Sequence, residues 1–270
     1  GWNEYETYIS DNDEVIITLP NYAMFSVYAA MFNAKPIDYF YGNNLKLNVD
    51  HLIKKINPQT KMLVISNPSH TGTALSQQEL IKIIQAAAQH KTIVLIDEAY
   101  HGFHPDTMVE HINDFSNLIV TRTFSKAFGL ASIRIGLLIA NESLINDLYK
   151  VKLVHEITGL AAKIGCYFLD NQEIVENYVA DVNLAKTILY QRLKKINFRV
   201  FNSESNFIFF QVPSSINPGS LKNYLETKKV LIRGPFQKYP FDQHLRVTVG
   251  NQSQMNLFCD IVEEYLSINV

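Results

Sequence analysis

The sequence predicts an α/β protein, with a mostly parallel sheet covered by helices and a smaller C-terminal α+β domain. Two observations predict it. Short apolar, β-rich runs alternate with amphipathic helical stretches through the first half, the pattern of a parallel sheet buried on both faces. Near residues 141–154 that texture gives way to long helical periodicity, continuing through Ile174 to Leu193, and short strands interleaved with helices follow.

Taken in order, the first strand is Glu14 to Leu19 and the second Lys61 to Ser66, each closed by a Pro-containing turn. Ser76 to His90 is a helix: Ser76 and Glu79 make a capping box, and Leu80, Ile83, Ile84 and Ala87 share one face. Lys91 to Asp97 is the next strand, completing a βαβ unit. Asn117 to Phe124 and Arg134 to Ala140 extend the sheet. Residues 1–150 are thus assigned to a large domain, and residues 151–270 to an interdomain helix and a small domain. There Phe198 to Phe201, Phe207 to Val212, Val230 to Arg233 and Leu245 to Val249 read as strands, with helices around Leu221 and from Met255 to Tyr265.

Bulk properties narrow the chemistry. With 24 basic against 26 acidic residues and no long run of either sign, the chain has no electrostatic footprint for nucleic acid or anionic membrane. A small-molecule partner is expected. Cys166 and Cys259, far apart within apolar helical patterns, read as buried thiols rather than a disulfide or metal clip, which suits the cytoplasm. No apolar run approaches the roughly 20 residues of a membrane helix. The chain opens Gly1-Trp2-Asn3 and soon enters a strand, which suggests that its natural start lies upstream.

In an open α/β sheet, ligands sit outside the carboxyl ends of the strands. Four segments occupy such places. Thr123-Phe124-Ser125-Lys126 puts a lysine in a turn after a strand, with Arg134 eight positions on. A partly desolvated lysine can act as a nucleophilic amine toward an aldehyde cofactor, and two hydroxyls with a guanidinium can grip a phosphate. The competing reading is a surface turn with a solvated lysine. Asp97 closes an apolar strand and begins Asp97-Glu98-Ala99-Tyr100; it is either a buried acid awaiting a cation, such as a protonated pyridine nitrogen, or a helix N-cap. Asn67, in Ser66-Asn67-Pro68, is either a donor to a phenolic oxygen or a turn former. Tyr22 either stacks on a flat heterocycle or packs in the core.

Together these segments resemble the fold-type I pyridoxal-phosphate (PLP) enzymes, specifically the class I/II aminotransferases of the histidinol-phosphate aminotransferase type. The resemblance spans nearly the whole chain. It implies that Lys126 holds the cofactor as a Schiff base and later shuttles a proton, and that Asp97 pairs with the pyridine nitrogen. It also implies that Tyr100 and Asn67 bond the phenolic oxygen, that Tyr22 stacks on the ring, and that Thr123, Ser125 and Arg134 bind the phosphate. Leu245-Arg246-Val247-Thr248-Val249-Gly250 resembles the family's substrate segment, making Arg246 the fork for an α-carboxylate and Arg233 the contact for a distal acidic group. A homodimer is implied too.

Three departures accompany the likeness. The family's N-terminal arm, and the Gly-containing phosphate nest that opens a helix upstream of Tyr22, find no match in this sequence. Ser69-His70 replaces a second Asn-Pro in the loop after Asn67. His155 falls where relatives read differently, either facing the substrate or solvated at a helix end. Two rivals to transamination follow: α-decarboxylation of a phosphorylated amino acid on the same scaffold, and a non-catalytic remnant or binding protein.

Overall fold

The computed structural model describes residues 2–236 and 241–269. By its internal contacts the chain divides into two compact units, Gly1–Asn171 and Gln172–Val270. The divide falls later than residue 150, because the helix after that point packs with the first unit: its buried Ala161 joins Phe124 and Ile135 in one cluster.

In the first unit, β1 (Glu14–Leu19), β2 (Lys35–Phe40), β3 (Thr60–Ser66), β4 (Ile93–Asp97), β5 (Leu118–Thr123) and β6 (Gly136–Ala140) form one sheet, ordered β2-β1-β3-β4-β5-β6. All adjacent pairs are parallel except β5 with β6. Strand order reverses at β1, and in open α/β sheets ligands bind at such a switch point, outside the carboxyl ends of the strands. One face buries Val15, Ile17, Met62, Val64, Leu95 and Ile119 under α1 (Trp2–Tyr8), α2 (Met24–Met31) and, later in the chain, residues Leu144 and Leu148. Each such side chain, fully buried, contributes roughly 1.5–3 kcal/mol. After the short α3 (Val49–Ile53), α4 (Gln77–Ala88) carries the expected capping box and buries Leu80, Ile83, Ile84 and Ala87.

α1, α2, the short α3 and β2 were not among the expected elements. β2 contains Pro36 and lies at the sheet edge, where a missing ladder N–H is tolerated. The expected long helix is broken into α5 (Glu142–Tyr149), α6 (Gly159–Asp170) and α7 (Gln172–Lys195). Thr158 restarts the chain as the N-cap of α6, its side chain accepting from the Ala161 N–H. His155 lies exposed in the turn between α5 and α6, not on a helix.

The second unit holds α7, β7 (Arg199–Val200), β8 (Phe207–Gln211), α8 (Pro218–Thr227), β9 (His244–Thr248) and α9 (Gln252–Asn269). Its three strands form an antiparallel sheet in the order β7-β8-β9. Arg192 on α7 ties to Asp260 and Glu263 on α9, each at 2.8 Å. Residues 230–233 do not form a strand; only Arg233 pairs, with Arg246. Val230 still donates to Leu225 C=O of the preceding helix, and Gly234 turns the chain away at φ +110°, where a Cβ would meet the His244 carbonyl oxygen at 2.7 Å. Cys259 is buried, its thiol pushed up to about 11 by burial, but Cys166 is exposed, contrary to its apolar sequence context. Among the described residues no helix is long and apolar enough to cross a membrane.

Candidate active site

The carboxyl edge of the sheet carries a row of polar side chains that the strand register lines up. Ser66 on β3, Asp97 on β4 and Thr121 on β5 are direct cross-strand neighbours. Thr121 Oγ1 donates to Asp97 Oδ1 at 3.1 Å. Ser66 Oγ lies 3.4 Å from Asp97 Oδ2 but only 2.5 Å from Asn21 Oδ1, past the end of β1. A serine hydroxyl has one proton, and the shorter bond takes it. Asp97 Oδ2 therefore keeps acceptor capacity while only 9 % of the residue is exposed.

Among the described residues Asp97 forms no ion pair. Burial pushes its carboxyl up to about 6, against which the Thr121 hydrogen bond pulls down. A buried acid with hydroxyl partners and a spare oxygen suits an N–H cation such as a protonated pyridine nitrogen. On this donor set the residues fit a pyridoxal ring. The adjacent Glu98 has a different task. It accepts from Arg122 Nε at 3.0 Å, from the Thr107 hydroxyl at 2.8 Å and from the Met108 N–H at 2.7 Å, pinning the 98–108 segment.

Tyr100 is buried, and Lys126 Nζ stands 5.8 Å from its ring centroid. Lys126 sits in the turn after β5, closed by Gly129 N–H to Lys126 C=O at 2.9 Å and Leu130 N–H to Phe124 C=O at 2.9 Å. Glycine at 129 provides the φ of +69° that this turn requires. The Asn67 N–H donates to Asp97 C=O at 3.0 Å, placing the β3 loop beside the end of β4. Thus the structure brings Asn67, Asp97, Tyr100 and Lys126 to one end of one sheet.

The three sequence-predicted phosphate residues are not joined. Thr123 Oγ1 accepts from the Ser125 N–H at 3.1 Å, whereas exposed Arg134 gives Nη1 to Ala131 C=O at 3.0 Å. Among the described residues no hydrogen bond links Arg134 to Thr123 or Ser125. Arg134 instead lines a cavity of about 480 Å³ with Trp2, Asn3, Glu4 and Thr121. α1 lies upstream of Tyr22, and its first turn forms one wall of that cavity. Its signal was the i, i+3, i+7 spacing of Trp2, Tyr5 and Ile9. Tyr22 is half exposed, its ring edge-on to Phe25 at 5.9 Å.

In the second unit Arg246 N–H donates to Arg233 C=O and Arg233 N–H to Arg246 C=O, both at 2.9 Å. The Arg246 guanidinium lies 4.6 Å from the Phe207 ring centroid, and Arg233 is exposed. Sequence reasoning missed Ser66, Thr121 and Asn21; each closes or follows a strand, which was the available signal.

Residues 6–262 match the family described as aminotransferase class I and II. The histidinol-phosphate aminotransferase of Clostridium novyi is 32% identical over 250 residues, spanning 90% of this chain and 68% of that protein. The histidinol-phosphate aminotransferase of a Thermoanaerobacter species is 34% identical over 251 residues, spanning 90% and 68%. The crystal structure of the Sinorhizobium meliloti histidinol-phosphate aminotransferase in complex with pyridoxal-5'-phosphate superposes with a TM-score of 0.89 at 18% identity. It covers 97% of this chain and 74% of that one, and speaks for the fold. The chain belongs to the class I and II aminotransferases and is a pyridoxal-phosphate-dependent enzyme of that family.

Proposed function

We propose that this aminotransferase moves an amino group from a small amino compound bearing a phosphate to a 2-oxo acid. The pairing of Arg233 with Arg246 carries the reading. They exchange both backbone hydrogen bonds, so their side chains leave the same face of the ladder from Cα atoms about 5.5 Å apart. Two guanidiniums leaving one face of the ladder offer two forks, which a dianionic phosphate uses better than a single carboxylate does. The Phe207 ring under Arg246 limits where its guanidinium can go. The relatives' name, histidinol-phosphate aminotransferase, agrees with a phosphorylated amine.

Bound pyridoxal phosphate would supply an electron sink for charge developing at the substrate Cα. Asp97 would keep the pyridine nitrogen protonated, Tyr100 would bond the phenolic oxygen, and Tyr22 would stack on the ring. Thr123, Ser125 and Arg134 would hold the phosphate, Arg134 by leaving the Ala131 carbonyl. Lys126 Nζ would hold the cofactor and, as a free amine, would carry the proton lost from the substrate Cα.

The test is a panel of amino acids and amino-phosphates with product identification by mass spectrometry. Arg246→Gln is expected to raise KM for the preferred amino-phosphate roughly 10–100-fold, the loss of about 1.5–3 kcal/mol from hydrogen bonds to a charged group. KM for phosphate-free amino acids should stay unchanged. A phosphate-free amino acid as best substrate, with its KM raised by the same substitution, would return Arg246 to the α-carboxylate.

We also propose a cytoplasmic homodimer. Leu153, Val154 and Leu160 are 71, 87 and 72% exposed within one short stretch of the first unit, apolar area that a second copy would cover. Sedimentation should give twice the chain mass, and Val154→Asp should shift the population toward monomer; a monomer at micromolar concentration overturns the proposal.

A further inference from the structure

Asp97 stands between two hydroxyls that treat it differently. Parallel register sets Ser66 on one side of it and Thr121 on the other, so all three side chains leave the same face of the sheet. Thr121 gives its proton to Asp97 Oδ1 at 3.1 Å. Ser66, equally close in register and buried, turns its proton away, to Asn21 Oδ1 at 2.5 Å rather than to Asp97 Oδ2 at 3.4 Å. Asn21 Oδ1 also accepts from the Tyr22 N–H at 2.7 Å. A backbone N–H can only donate, so that contact fixes which end of the amide is the oxygen. The other end is idle: Asn21 Nδ2 is buried and has no acceptor among the described residues. An amide kept with a buried donor unpaired is kept for its oxygen.

We propose that Asn21 is a positioning residue for the acid of the site: its amide oxygen takes the Ser66 proton and so leaves Asp97 Oδ2 open to a ring N–H. The proposal rests on Asp97 as the partner of the pyridoxal nitrogen. Were the Ser66 hydroxyl to swing to Oδ2, that oxygen would already hold a donor and would accept a second one more weakly. A hydrogen bond to the charged form also favours that form, so the same swing would let Asp97 ionise at lower pH. Burial now holds the carboxyl up at about 6, while Thr121 pulls it down and Ser66, at its longer distance, pulls less. The charged side chain that bears on Asp97 is Glu4 of α1, and every variant below keeps it.

The test reads the Asp97 carboxyl itself, by carboxyl-carbon NMR titration of the cofactor-free chain, with Asp97→Asn identifying the signal. Ser66→Ala should leave the midpoint close to wild type, because the lost proton was directed elsewhere. Asn21→Leu removes the acceptor and should lower the midpoint by about one unit, a tenfold change in proton affinity. Its affinity for pyridoxal phosphate, measured by equilibrium dialysis, should fall roughly tenfold. Adding Ser66→Ala to Asn21→Leu should return the midpoint to wild type and recover most of the affinity. An Asn21 that acted only by capping the Tyr22 N–H would give no such rescue.

A midpoint raised by about one unit in Ser66→Ala, or unmoved in Asn21→Leu, overturns the proposal. Should Asn21→Leu fail to fold, Asn21→Ala makes the same comparison, and Ser66→Ala decides the path of the proton without either. Midpoints that move as expected while neither Asp97→Asn nor Asn21→Leu alters cofactor affinity would overturn Asp97 as the ring's partner and leave the path of the Ser66 proton intact.

Discussion

Asp97→Asn is expected to make the cofactor-free protein more stable at neutral pH and the loaded enzyme much worse. Burial holds the Asp97 carboxyl at about 6, against 3.8 for an ordinary aspartate. The folded state therefore binds this proton more tightly than the unfolded chain does. Between about pH 4 and 6 the native state carries more of it, so this group's contribution to stability falls as pH rises through that window. Above it the full cost is present, about 3 kcal/mol by linkage. Asparagine keeps the shape and the Thr121 bond at the Oδ1 position while removing the charge. Scanning calorimetry of the cofactor-free variant at pH 7.5 should show a melting temperature several degrees above wild type, with the difference vanishing near pH 4. Cofactor affinity should drop roughly 10–100-fold, because a neutral amide loses a charge-assisted hydrogen bond. If the melting temperature falls and affinity holds, Asp97 is a structural acid rather than the ring's partner.

Lys126→Ala should abolish the visible band and reduce turnover by roughly 10²–10⁴-fold from the lost proton transfer alone. The fold should survive, since the turn is held by backbone bonds of residues 124, 126, 129 and 130. Borohydride reduction of the wild-type enzyme followed by peptide mass mapping should place the pyridoxyl group on Lys126 and nowhere else. A retained band in the variant, or a label on another lysine, would remove Lys126 from the mechanism.

Much of this molecule was legible because its elements are locally consistent. β1 and β3 to β6 are apolar runs ended by turn residues, and α4 carries its own capping box. What escaped is what only neighbours stabilise: β2 with its proline, accepted because it is an edge strand, and α1, too short to persist without the sheet face that buries Tyr5. The continuous helix expected after residue 141 failed because periodicity does not register the caps at Thr158 and Asn171.

By itself the sequence determined the parallel sheet, the family, and which polar residues stand at strand ends, since strand length and breaker residues are local properties. Tertiary structure alone decided which of those residues meet. Ser66, Asp97 and Thr121 become neighbours through sheet register, Arg233 faces Arg246 through one bridge, and loop closure commits the Asn67 side chain to Leu75. Such pairings depend on hydrogen bonds between residues distant in the chain, and no local pattern encodes their partners.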